Sequence, residues 1–440
     1  MAGPIGTGGA VAAAGSGAAG AGSYTKALTL LASLFFMWGF ITVINGVLLP
    51  HLRSVFELNY FQTALLEFAW FIAYGIAGWP SAKLIERVGY QRAISIGLIV
   101  MAAGALGMTI AASIPSYNVT LFMLFVIASG ITLLQVAANP YVTVIGPPET
   151  GSSRLNLVQA FNSLGTTLAP LFAGYLILGR SRSGTAEAGA TLTQAQRYAD
   201  AHSVILPYVL VAIVLVVLAV VIARFPLPAL GAATQRAAKE DRYKHSLWKH
   251  RNLTLGIPTM IAYLLAEIGV ANLFVNFVSQ PEIASITHEQ ASRYLSLLWG
   301  CMMVGRFLGS FLMQKIAPER LLSAFAFGAL VVVTIATFAT GPIAMWSLIA
   351  VGLFHSIMFP TIFTLAIRGL GPLTEEGSGL MIMAIAGGAL FVVQGWLADH
   401  YGLQNSFFLT MACEVVVLAY ALWGSKPTHA LPEPVAEPAA

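Results

Sequence analysis

The chain has 440 residues, of which 58% are hydrophobic and 9% charged, and its mean hydropathy is +0.80. Soluble domains carry about a quarter charged residues, so water is not the main solvent of this fold. The formal net charge of +4 is scattered through loops and forms no nucleic-acid-binding face. In a membrane protein such charge reports orientation.

Apolar blocks between turn and charge signals divide the chain into twelve spans, each near the roughly 20 residues a membrane helix needs. Before them, residues 1–25 form a Gly/Ala/Ser-rich tail, expected to be flexible and without the basic start of a signal peptide. Span one, 26–50, carries Trp38, Asn45 and Gly46 in "FFMWGFITVINGVLLP". Span two, 60–84, carries Glu67 and runs into the polar "AKLIERVGYQR" with Glu86, Arg87 and Arg92. Span three, 93–113, is apolar, and span four, 119–144, sets Gln135 and Asn139 four apart on one helical face. Span five, 154–178, begins at Arg154 and reads "RLNLVQAFNSLG". Span six, 204–224, holds a charge-free run over 204–223. The polar segment 225–252 reads as a linker dividing six spans from six.

Span seven, 254–279, holds Glu267, Asn272 and Asn276, and span eight, 291–314, holds Arg306. Spans nine, ten, eleven and twelve cover 320–340, 343–367 with His355, 378–398 and 404–424. A C-terminal tail occupies 426–440. Glu67 and Glu267 read as the only carboxylates well within a span. The domain expectation is an N-terminal six-helix half over 26–224 and a C-terminal half over 253–425. The halves resemble one another: polar "AKLIERVGYQR" follows span two and "MQKIAPERLL" follows span eight. Such duplication marks carriers whose substrate site lies between the halves near mid-membrane.

With the N-terminus inside, 16 of the 22 Lys and Arg fall in inside segments, five outside and one within a span. That asymmetry places both termini in the cytoplasm. Cys301 and Cys413 fall in apolar segments and read as small buried hydrophobes. The sequence has no CxxC, Cys/His cluster, phosphate loop of Walker type, nucleotide-binding domain or catalytic triad, so no metal, no cofactor and no enzymatic activity are expected.

Span five is the unusual one. At about 100° per residue, Asn156, Gln159, Asn162, Ser163 and Thr166 share an arc of roughly 120°. A polar face in hydrocarbon must look at protein or water, because each unpaired group costs several kcal/mol. Carboxamides commonly tie membrane helices together. They also donate and accept at once, which suits a ligand with many hydroxyls. Charges at membrane depth are functional hypotheses by default, so Glu67, Glu267, Arg306 and His355 join the candidates. Trp38, mid-span, reads either as packing or as a stacking face for a sugar.

Five stretches carry a resemblance: "FFMWGFITVINGVLLPHL", "LQVAANPYVTVIGPPETGSSRLNLVQAFNSLGTT", "VGRFLGSF", "FHSIMFPTIFTLAIRGLG" and "GSGLMIMAIAGGALF". Through them the chain resembles the major facilitator superfamily, and within it the fucose permease and glucose/galactose transporter family. The resemblance implies an all-α membrane protein of twelve helices in two six-helix halves. It implies a carrier that moves a monosaccharide, a glucose- or galactose-like hexose, by alternating access, multi-pass in the bacterial inner membrane and monomeric. The implied sugar-facing set is Trp38, Asn45, Gln135, Asn139, Gln159, Asn162, Glu267 and Asn276.

One departure matters. The family's first span reads Asn-Asp where this chain has Asn45-Gly46, and fucose permease has a glutamate where this chain has Gln135. Neither position here can take a proton. Three explanations compete: an uncoupled uniporter, sodium in place of the proton, or another carboxylate. Helix depth places Glu67 level with Gly46 and makes it one coupling candidate, with Glu267 a second. Gating on the cytoplasmic side is expected from Glu86, Arg87, Arg92 and Arg154, near Glu375 and Glu376. The other readings are a carrier of a different small solute on the same fold and a membrane receptor that transports nothing.

Overall fold

The computed structural model describes residues 25–42, 60–114, 116–145, 147–173, 205–225 and 246–428. Helices dominate, because a chain in hydrocarbon must satisfy its backbone within each segment. In chain order they are α1 (Thr25–Thr42), α2 (Tyr60–Val88), α3 (Tyr90–Ser113), α4 (Tyr117–Val144), α5 (Gly151–Ala173) and α6 (Ile205–Arg224). Then come α7 (Arg251–Val278), α8 (His288–Leu312), α9 (Pro318–Phe338), α10 (Gly341–His355) and α11 (Met358–Ile367). The last are α12 (Thr374–Met383), α13 (Phe391–Tyr401) and α14 (Leu403–Ala419). Among the described residues ten helical stretches are long and apolar enough to cross a membrane. The more polar α2 and α5 complete the twelve spans.

Three spans are composite, and the breaks have local causes. Span ten breaks after His355 into α10 and α11. Pro360 has no N–H to give to Ser356 O, four residues back, and Arg306 Nε donates to that carbonyl instead, at 3.1 Å. In α4, Pro140 likewise leaves Val136 O without its helical donor, and Ser378 Oγ supplies one from α12 at 3.2 Å. Span eleven narrows to a 3-10 turn at Ala384–Leu390 between α12 and α13, and span twelve ends in a π-helical turn, Tyr420–Gly424.

Within the first half α2 and α4 pack on one another and α3 on α4 and α6; within the second, α10 packs on α8 and α9, and α14 on α7 and α9. The halves meet along two seams, α2 against α12 and α5 against α8 and α11. At the first seam a Cβ on Gly379 would stand 2.9 Å from the Ala82 Cβ and 3.1 Å from Gly78 O. Small residues are what let the two backbones approach so closely.

Several helices outrun their hydropathy boundaries. α2 runs to Val88, α5 begins at Gly151 and α7 at Arg251, each beyond its apolar block. Hydropathy registers the hydrocarbon thickness, whereas a helix continues as long as its backbone bonds do.

Candidate functional site

α1 and α5 cross where Gly39 meets Asn162 O and Gly165 meets Phe36 O; a Cβ at either glycine would overlap the facing carbonyl. The crossing seats Trp38, buried and 5.2 Å from the Phe35 ring, beside Asn162. Asn162 Nδ2 donates to Phe35 O at 2.9 Å.

The polar arc of α5 divides its work. Asn156, at one edge, reaches the second half: its Nδ2 lies 3.3 Å from Thr361 Oγ1 and 3.3 Å from Met313 Sδ. Asn162, at the other edge, ties α5 to α1. Ser163 and Thr166 return hydroxyl bonds to their own helix, and Ser163 Oγ also accepts from Arg306 Nη1. Between the edges lies Gln159. It is 3% exposed, its backbone carbonyl accepts from Arg306 Nη1 at 3.3 Å, and its side-chain Nε2 has no partner among the described residues. On α4, Gln135 Nε2 donates to Tyr74 Oη at 3.1 Å. Asn139 is fully buried, and both its side-chain oxygen and nitrogen lack a partner among the described residues. On α4 and α5 the unmet amide capacity lies at Asn139, Gln159 Nε2 and Asn156 Oδ1; in the second half Asn252 Oδ1 and Gln394 Oε1 also lack a partner among the described residues. A buried amide without partners costs about 1–3 kcal/mol, which a bound hydroxyl would relieve.

The second half contributes differently from expectation. Glu267 is half-buried, and the Tyr263 hydroxyl is its neighbour, within the fields of Arg306 and Glu414. Asn276 does not join it. α7 is continuous from Arg251 to Val278, so nine residues carry Asn276 roughly half a turn round and about 14 Å along the axis. Asn272 and Asn276 are exposed there. Arg306 pairs with no carboxylate within 4.0 Å among the described residues; its contacts are carbonyls, the Ser163 hydroxyl and Met302 Sδ. Asn45 and Gly46 lie outside the described residues, as does the side chain of Glu67.

The expectation that only Glu67 and Glu267 lie well within spans is corrected by Glu414 in α14. It is 0% exposed, and its Oε1 lies 2.6 Å from His355 Nε2. A single acid inside "MACEVVVLAY" was the available signal; the strong hydropathy around it masked the charge.

One end of the inter-half groove is shut. Lys83 Nζ lies 2.6 Å from Glu376 Oε1 across α2 and α12. Ser152 Oγ is 2.7 Å from Thr364 Oγ1. Ser153 and Ser310 exchange hydroxyl-to-carbonyl bonds of 2.7 and 2.9 Å. Of the expected gating residues, Glu86 meets Lys83 at 3.4 Å within α2, while Arg87 and Arg92 are exposed and form no salt bridge among the described residues. Arg154 holds the end of α4. It is buried, and its guanidinium binds Val142 O at 3.0 Å, Thr143 O and Pro147 O at 2.8 Å. These include the last carbonyls of α4, which have no helical donor. A cavity of about 410 Å³ at this end is lined by Glu149, Ser152, Glu319, Thr364 and Arg368 among others, and by none of the amides above.

Known proteins match this arrangement. The family model of the Major Facilitator Superfamily matches residues 29–393. The glucose/galactose transporter of Brucella abortus biovar 1 (strain 9-941) is 45% identical over 405 residues, covering 92% of this chain and 95% of that one. The L-fucose-proton symporter of Escherichia coli K12 is 32% identical over 413 residues, 92% of this chain and 94% of that one. The solved structure of FucP in the outward conformation superposes with a TM-score of 0.80 at 30% identity, covering 92% of this chain and 100% of that one. A helical bundle of twelve spans, closed between its halves at one end and matched along nine-tenths of its length, belongs to the Major Facilitator Superfamily.

Proposed function

We propose that this protein carries a monosaccharide of the glucose or galactose type across a bacterial inner membrane by alternating access. The observation that carries the reading is that buried Asn139 and the Nε2 of Gln159, on adjacent helices α4 and α5, lack partners among the described residues. Carboxamides there replace water around sugar hydroxyls, and an analogue lacking one hydroxyl leaves a site group unpaired. The names of the relatives from Brucella and Escherichia coli point to the same substrate class. Trp38, Asn45, Gln135, Asn139, Gln159 and Asn162 form the sugar-facing set in this reading, with Glu267 facing it from the second half. Asn276 belongs to the set only if the outer mouth extends along α7.

The proposed orientation puts both termini and the shut end in the cytoplasm, so this conformation opens outward. The six-helix halves over 26–224 and 253–425 rock about the site, with 225–252 joining them and the tails outside the bundle. The carrier acts as a monomer. Proton coupling is supported by the name of the 32% identical relative. The coupling candidates the sequence offers are Glu67, at the depth of the missing acid, and Glu267.

Counterflow of radiolabelled glucose in proteoliposomes tests the reading. A carrier trans-stimulates uptake even when uncoupled. Flat uptake of glucose, galactose and fucose alike would refute it.

A further inference from the structure

Resting on the carrier reading above, we propose that the buried His355–Glu414 pair in the second half binds the proton that is carried with the sugar.

The geometry isolates the pair from water. His355 is 1% and Glu414 0% exposed, and their ring nitrogen and carboxylate oxygen are 2.6 Å apart. The other oxygen, Oε2 of Glu414, has no partner among the described residues. A carboxylate in that position has one bond and one bare oxygen, in a setting where an unbalanced charge is costly.

The surrounding charges leave room for one proton. α7 presents Tyr263 and Glu267, and α8 presents Arg306. α14 adds Cys413 beside Glu414, and that thiol feels the carboxylate. α9 has no titratable side chain beyond Glu319 and Arg320 at its start, and α11 has none. α13 offers the uncharged Gln394, bound to Thr410 Oγ1 at 3.0 Å, one turn from Glu414; Asp399 and His400 are exposed at its far end. One fixed cation, Arg306, therefore faces two acids, Glu267 and Glu414. A proton on the His355–Glu414 pair brings the group to neutrality. Without it the group holds one net negative charge.

The same residues connect this pair to the sugar site. Arg306 donates to Ser356 O, the carbonyl next to His355, and to Gln159 O and Ser163 on α5. Tyr263 Oη lies 3.4 Å from His355 O, its ring edge-on to the imidazole at 5.7 Å, with Glu267 as the partly exposed member of the set. Rocking of the halves separates Arg306 from α5 and alters the field at the pair. The proton enters as H⁺ from the outer water and leaves as H⁺ on the other side. Nothing is oxidised or reduced.

The experiment compares wild type, Glu414→Gln and His355→Gln in proteoliposomes by two readouts. Counterflow, driven by sugar alone, reports carriage; accumulation under an imposed one-unit pH gradient reports coupling. One proton per sugar gives about tenfold accumulation in wild type. Glu414→Gln is expected to exchange sugar but hold a ratio near one. If Glu414→Gln loses exchange as well, His355→Gln decides by the same pair of readouts. Wild-type counterflow without proton-driven accumulation, or accumulation driven by sodium alone, overturns the inference and leaves the carrier reading intact. So does a Glu414→Gln carrier that concentrates sugar like wild type. Absent counterflow in wild type overturns both.

Discussion

The Lys83–Glu376 pair should bias the carrier towards the conformation seen here, and Glu376→Gln isolates that bias. Lys83 keeps a second partner, Glu86, at 3.4 Å, and the amide variant removes the negative charge that faces it across the seam. The side chain of Lys83 is 41% exposed and that of Glu376 13%, which places the pair between surface and buried. Exposed pairs are worth 0.2–1 kcal/mol. The 2.6 Å contact and the shielded carboxylate put this one at the upper end, about 1 kcal/mol. The ratio of shut to open conformers at this end should then fall about fivefold. Spin labels at the exposed positions Arg92 and Gln314, in a background without Cys301 and Cys413, read those populations by pulsed dipolar spectroscopy. The effect should shrink in high salt, since screening acts on the half-exposed partner. Lys83→Met should shift the populations similarly, and the double variant no further. Fully additive single effects, or a distance distribution unchanged by Glu376→Gln, would show that the pair is not a latch.

Other outcomes follow from the same coordinates. Gln159→Ala leaves its carbonyl bond to Arg306 in place, so melting temperature should hold while the KM for counterflow rises about tenfold, the worth of one buried hydrogen bond. Arg154→Leu frees buried carbonyls at the end of α4; the detergent-solubilised protein should lose about 3 kcal/mol, visible as a large fall in Tm. Gly379→Val places a side chain against Ala82 and Gly78 and should hold the α2–α12 seam apart. Spin-label distances at that end would lengthen, and net transport would be lost even where sugar still binds.

The fold was legible because hydrocarbon simplifies the code: apolar runs of the right length become helices whatever their details. What hydropathy did not register was polar chemistry inside those runs. α5 announced itself through three carboxamides within seven residues, and the arc does face protein. Its roles were less readable, since whether Asn156 ties two halves and Asn162 ties two helices depends on what lies opposite, which no local pattern states. Glu414, alone in its span, was missed for the converse reason, as a single acid does not alter a hydropathy window. Glu267 and Asn276 were grouped by the family resemblance, and nine residues on a continuous helix put them on opposite faces.

The character of the seam explains how a tight interface remains reversible. Apart from Lys83–Glu376, the links that shut this end are short: Ser152 to Thr364, the reciprocal Ser153–Ser310 bonds, Asn156 to Thr361, and Ser378 to Val136 O. Polar ties between membrane helices average about 0.6 kcal/mol, so these five amount to about 3 kcal/mol. Reversing a two-state population from 1:99 to 99:1 takes about 5.5 kcal/mol. The seam is therefore strong enough to favour one state and too weak to trap it. The bond to Val136 O goes further, because Pro140 deprives that carbonyl of its helical donor in every conformation. When the seam opens, Ser378 withdraws and the carbonyl needs water. Opening at this end is thus tied to wetting it, and a Ser378→Ala carrier, which leaves Val136 O unpaired when shut, should favour the state open at this end by about 1 kcal/mol.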